Sequence, residues 1–119
     1  MQKQSLQVFK AQLFKALAHP TRIRILECLR SGELTVSELQ TRLQIESSSM
    51  SQQLSVLRSH QIVEGHRQGS NVYYQVIDAS IFALLEVARQ IFDNRLVTLQ
   101  EMADQEPLRV TEAVDSTPD

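Results

Sequence analysis

Between Ser47 and Ser59 the chain reads Ser-Ser-Ser-Met-Ser-Gln-Gln-Leu-Ser-Val-Leu-Arg-Ser, with five serines by Ser55 and an adjacent pair of glutamines. Hydroxyls donate and accept hydrogen bonds, and a carboxamide offers a donor beside an acceptor. At helical spacing Met50, Leu54 and Leu57 share one face. The opposite face carries Ser48, Ser51, Gln52, Ser55 and Ser59, with no acid among them. Serine is a mediocre helix former, so this clustering needs another reason. A solvated helix face would instead be rich in Glu and Lys. Small side chains let a helix sit deep in the major groove of double-stranded DNA. There Gln can pair with adenine, and Ser can reach a base edge or a phosphate. The bland alternative is a Ser-rich surface without function.

Arginines flank this segment. Arg42, Arg58 and Arg67 are expected to contact phosphate, with Arg22 and Arg24 as further candidates. Each alone reads as a surface charge, and the expectation rests on their joint placement. Arg67, Gln68 and Asn71 fall in or beside a turn and would reach the backbone or an adjacent minor groove. His66 could touch phosphate beside them. The formal net charge of −2 averages two unlike parts. Residues 1–77 hold nine Lys/Arg against five acids, whereas 100–119 hold six acids and one Arg. A basic face and an acidic tail are therefore compatible with the total.

The elements that must position these residues follow from periodicity. Leu6, Phe9, Leu13, Phe14 and Leu17 predict an amphipathic helix over 5–18. Pro20 ends it and suits the first turn of a second helix over 20–30, closed by Ser31-Gly32. A third helix at 36–43 carries Val36, Leu39 and Leu43. A short connection at 44–46 leads to the Ser/Gln helix at 47–59, which Ser47 or Ser48 can cap. Two short helices about a tight turn make a helix-turn-helix. Residues 62–67 and 72–77 then read as strands around a turn at 68–71. This hairpin, placed just after the second helix of the pair, is a wing. A last helix over 79–104 bears a long stripe, Ile81, Leu84, Leu85, Ala88, Ile91, Phe92, Leu96, Leu99 and Met102. So small a chain has little core left to cover it, which argues for a second copy against the first and last helices. The alternative is packing within one chain.

The expected fold is thus mainly α with a small β-hairpin: a winged helix-turn-helix of five helices and a two-stranded wing, dimerising through its first and last helices. Residues 1–104 would form this DNA-binding and dimerisation domain, and 105–119 an acidic, disordered tail. A length of 119 residues and 42% apolar content suit one folded domain. No run of about 18 apolar residues suggests a membrane span, and no basic-then-apolar start suggests secretion. One cysteine, Cys28, makes neither an intrachain disulfide nor a multi-thiolate metal site. A reducing cytoplasm is the simplest setting. Paired carboxylates in a cleft, a Gly-rich phosphate loop and a nucleophile with its base are all missing, so no enzyme is expected.

The chain resembles the ArsR/SmtB family of bacterial winged-helix repressors over about 9–104. The resemblance is carried by Lys15-Ala16-Leu17-Ala18-His19-Pro20-Thr21-Arg22-Ile23-Arg24-Ile25-Leu26, by Ser37-Glu38-Leu39, by Met50 through Leu57, and by Gly69 through Val76. It implies a homodimer that represses from an imperfect inverted repeat and leaves it when an inducer binds. Positions matching the family's reading helix are Ser47, Ser48, Ser49, Ser51, Gln52 and Gln53. Many members carry His at one or both of the last two, so this operator is expected to differ. Thr35 and Ser37 stand where metal sensors of the family carry two thiols, which excludes a thiolate site there. The last helix lacks the His that a second family site needs. No metal and no cofactor are therefore expected. Cys28 lies where some thiol-based sensors place one of two reactive cysteines. Without the second, a plain buried cysteine is preferred over a redox role, and the chain could also act with no inducer. A competing class keeps the fold but serves as a protein-interaction module without DNA binding. The acid-free face argues against it.

Overall fold

Pro20 divides the first two helices, and the junction shows how. In the computed structural model, which describes residues 5–105, α1 spans Leu6–Leu17 and α2 spans Pro20–Cys28. Proline forces the residue before it out of the helical region. His19 is accordingly extended, at φ −156° and ψ 124°. Its Nδ1 accepts the Thr21 N–H at 3.1 Å and so caps α2. At the other end of α1, Ser5 accepts the Val8 N–H at 3.1 Å. A 3-10 turn, Leu29–Ser31, finishes α2, shortening the helix expected to 30.

The helix-turn-helix follows. Its first helix, α3 (Val36–Leu43), begins with a capping box: Thr35 Oγ1 accepts the Glu38 N–H, and Glu38 accepts the Thr35 N–H. The Thr-x-x-Glu spacing announces this feature in the sequence. Gln44 ends α3 in the left-handed region, at φ 56°, where glycine is more usual. Its second helix, α4, covers Ser47–Ser59, the bounds expected. The expected serine cap is corrected. Ser47 and Ser48 lie inside the helix, and Glu46 stands at the N-cap without a side-chain bond to the backbone. Burial of Met50, Leu54 and Leu57 fixes the phase of the helix, and Met50 N–H closes its first turn onto the Glu46 carbonyl.

The sheet is larger than the two-stranded wing expected. Antiparallel β2 (Val63–Gln68) and β3 (Asn71–Val76) form the hairpin, and β1 (Leu34–Thr35) adds a third strand in the order β1–β3–β2. Leu34 pairs with Tyr74 and Thr35 with Tyr73. Two residues are too few to show an alternating pattern, so β1 leaves no periodic signal. Pairing of Gln68 with Asn71 tightens the turn to Gly69-Ser70, with Gly69 at φ 63°. The core beneath is made by Ile25, Leu26, Leu39, Met50, Leu57 and Val63, all essentially buried.

Helix α5 runs over Ser80–Gln105, with Asp78 Oδ1 accepting the Ser80 N–H at its start. The packing divides after Phe82. The first unit holds everything described so far and the start of α5, where Ile81 is buried. The rest of α5, from Ala83, is a unit by itself, and Val87, Ile91, Phe92, Leu96, Val97 and Met102 are exposed on it. The acidic tail assigned to 105–119 lies, from residue 106, outside the described residues.

Candidate nucleic-acid interface

Helix α4 exposes the polar side chains its periodicity places outward. Ser47, Ser48, Ser51, Gln52, Ser55 and Ser59 are exposed, and Ser49 is half-buried. No acid lies within the helix. Gln53, counted with the reading residues, is corrected. It is 8% exposed, and its Oε1 accepts from Arg22 Nη1 at 2.9 Å. Position 53 follows Met50 by three and precedes Leu57 by four, so it shares the buried face. That spacing signals its burial in the sequence.

The arginines divide into internal and outward groups. Arg22 also donates to the Ala16 and Lys15 carbonyls, at 2.6 and 3.4 Å, and Arg24 donates to the Leu43 carbonyl at 3.1 Å. Both were candidates for phosphate; Arg22 spends three nitrogens on partners within the fold, whereas Arg24 is exposed and is bonded there through one. Arg24 meets the C-terminal end of α3, where a cation is favoured by the helix dipole. Arg58 is exposed at the last turn of α4 and donates to Tyr74 Oη at 3.3 Å. That bond uses one of five guanidinium donors. Arg42 and Arg67 are exposed, as are Gln68 and Asn71 at the hairpin end.

Two contacts tie the hairpin to other parts of the first unit, Tyr74 to Arg58 of α4 and His66 to Glu33 just before β1. Gly65 pairs directly with Tyr74. A Cβ on Gly65 would come within 3.0 Å of Val72 Cγ1 and 3.1 Å of the Tyr74 ring. Glycine therefore leaves the space in which the Tyr74 ring lies on its way to Arg58. His66 stacks on Tyr73, with ring centroids 6.0 Å apart, and its Nε2 lies 3.4 Å from Glu33 Oε2. It was a candidate for phosphate and is turned toward these intramolecular partners. Neither Tyr74 nor Glu33 had been singled out from the sequence. The Gly65–Tyr74 pairing becomes visible only once the hairpin register is known.

Thr35 and Ser37 bear on metal chemistry. The Thr35 hydroxyl is engaged in the capping box, where it also lies 3.2 Å from Glu38 Oε1. Bonds from the Thr35 backbone and hydroxyl, with Arg42 nearby, hold the Glu38 carboxyl below the usual glutamate range. Among the described residues no three His, Cys, Asp or Glu side chains gather in a way that could hold a metal ion. Cys28 is a free thiol, half-buried near the end of α2 rather than fully buried.

Comparison with known proteins agrees with this geometry. A family model described as a helix-turn-helix domain matches residues 17–66. An uncharacterized HTH-type transcriptional regulator of Mycobacterium tuberculosis, Rv0081, is 39% identical over 107 residues, covering 86% of this chain and 94% of its own. Its crystal structure superposes with a TM-score of 0.72 at 41% identity, covering 81% of this chain and 97% of the other. A transcriptional repressor SmtB homolog of Synechocystis is 39% identical over 84 residues, 71% of this chain and 61% of that protein. The homodimeric winged helix-turn-helix domain of Mb0332 from Mycobacterium bovis, described as a possible ArsR-family regulator, aligns with a TM-score of 0.65 at 33% identity. That alignment covers 76% of this chain and 91% of the other.

Proposed function

Because this chain belongs to the ArsR/SmtB family of winged helix-turn-helix transcriptional regulators, we propose that it represses transcription as a homodimer bound to an inverted-repeat operator. The observation that carries the proposal is the exposed, acid-free hydroxyl and carboxamide face of α4. Gln52 reads a base, and Ser48, Ser51 and Ser55 let the helix approach the groove floor. Ser47 and Ser49 contact the backbone at the start of the helix. Arg58 and Arg67, with Gln68 and Asn71 of the wing, bind phosphate and set the register.

Dimerisation is supported by the apolar surface of two helices. Helix α1 exposes Leu6, Val8, Phe9 and Phe14, and α5 beyond Ala83 exposes the six side chains named above. Large apolar side chains exposed along each of these helices mark an interaction site. A second copy covering both is the arrangement the family implies.

The signal is not a metal held by thiolates, since Thr35 and Ser37 supply hydroxyls where thiolates would be needed and the Thr35 hydroxyl is committed. Cys28 alone offers no disulfide within one chain. The regulator works in the cytoplasm, where the chromosome is. Selection of DNA from a random pool, followed by a mobility-shift titration, tests the proposal. An enriched palindromic sequence bound by a dimer is expected. Failure to enrich any sequence at low salt would leave only an interaction module on this scaffold.

A further inference from the structure

Arg22 occupies the third position of α2, a place where a cation faces the unfavourable end of its own helix dipole. Its bonds explain the placement. Nε donates to the Ala16 carbonyl at 2.6 Å and Nη2 to the Lys15 carbonyl at 3.4 Å, both in the last turn of α1. Carbonyls there form the negative end of the helix dipole, and that of Lys15 also accepts the N–H of the C-cap residue Ala18 at 3.2 Å. The remaining terminal nitrogen, Nη1, donates to Gln53 Oε1 at 2.9 Å. Gln53 is one of two buried polar side chains among the described residues, and it sits on α4 beside the outward Gln52. One planar guanidinium thus holds the end of α1 and the inner face of the reading helix together. Lysine cannot reproduce that fork, because its ammonium is a point charge on a flexible stem.

We infer that Arg22 is a positioning residue for DNA reading: acting through Gln53, it fixes the pose of α4 against the end of α1. The inference rests on the proposed operator-binding function. In the proposed dimer, α1 lies at the interface between copies. Arg22 therefore transmits the geometry of the interface to the direction in which Ser48, Ser51 and Gln52 point. It touches no DNA itself, and it affects sequence reading rather than phosphate attraction.

The test uses the full chain and a duplex that the wild type has selected from random DNA. Arg22→Met, Gln53→Met, the double variant and Gln53→Glu are titrated against that duplex and against unselected DNA over a range of salt. Arg22→Met is expected to lower affinity for the selected duplex by about tenfold, comparable with the loss of one base contact. Affinity for unselected DNA and the salt slope should not change. Gln53→Met should do the same, and the double variant should be no worse than either single one. Gln53→Glu keeps an acceptor for the guanidinium and should retain the wild-type affinity. If Arg22→Met fails to fold, the two Gln53 variants carry the comparison alone. A salt slope lower by about one unit would overturn the inference in favour of direct phosphate contact. Wild-type affinity in folded variants that merely melt earlier would also overturn it, leaving only a structural role. A wild type that selects no sequence would refute the operator reading first, and this inference with it.

Discussion

Gln52 and Gln53 are chemically identical neighbours, and the structure assigns them opposite consequences. Gln52 is exposed on α4, whereas Gln53 is buried with its Oε1 on Arg22. Gln52→Ala removes no internal bond, and alanine is the better helix former, so stability should hold or rise by a few tenths of a kcal/mol. A lost bidentate base contact costs about 1–3 kcal/mol, so operator affinity should fall about 5- to 150-fold, with relaxed preference at one base pair. Gln53→Ala leaves a half-buried guanidinium nitrogen without its acceptor. Hydrogen bonds to charged groups contribute about 1.5–3 kcal/mol, which for a domain of this size lowers Tm on the order of 10 °C. Thermal melts followed by circular dichroism, and fluorescence-anisotropy titrations against each single-base operator variant, separate the two. If Gln52→Ala binds with full affinity and selectivity, or if Gln53→Ala melts with the wild type, the assignment of the two faces of α4 is wrong.

Three further outcomes follow from individual contacts. Arg67→Ala, at the exposed end of the hairpin, should weaken binding to all sequences and reduce the salt slope by about one unit, as mobility shifts at several salt concentrations would measure. Glu38 titrates below its usual value in the folded chain because of bonds from Thr35 and the charge of Arg42. Its contribution is therefore fully present above the ordinary glutamate value of 4.5 and is lost as pH falls through the lower folded value. Glu38→Gln should melt below the wild type at neutral pH, with the gap closing in that acid window. A gap independent of pH would contradict the capping-box account. Gly65→Ala brings a methyl group against Val72 and the Tyr74 ring. Overpacking of about 1–3 kcal/mol should outweigh the gain of under about 1 kcal/mol from a stiffer unfolded chain, and a lower Tm should show it.

Most of the fold was legible because its signals are local. Pro20 marked the first junction, and the spacing of Met50, Leu54 and Leu57 set both the span and the inward face of α4. The outward face, Ser48, Ser51, Gln52 and Ser55, followed from the same periodicity. What escaped depends on contacts between distant parts of the chain. Strand β1 exists only because Leu34 and Thr35 pair with Tyr74 and Tyr73. The duties of Arg22 and Arg24 come from carbonyls and an amide on other helices. Surface charge and internal clamp look alike in a sequence. Gln53 is the instructive case. Family matching placed it with the reading residues, while helical spacing alone would have placed it inside.

The central claim is that two copies of α4 read successive major grooves. Methylation-interference footprinting of the wild-type protein on its selected duplex tests it most directly. Two symmetry-related clusters of major-groove contacts, centred about 34 Å or one helical turn apart, are expected. A single unsymmetrical cluster, or protection without any dependence on sequence, would contradict the account.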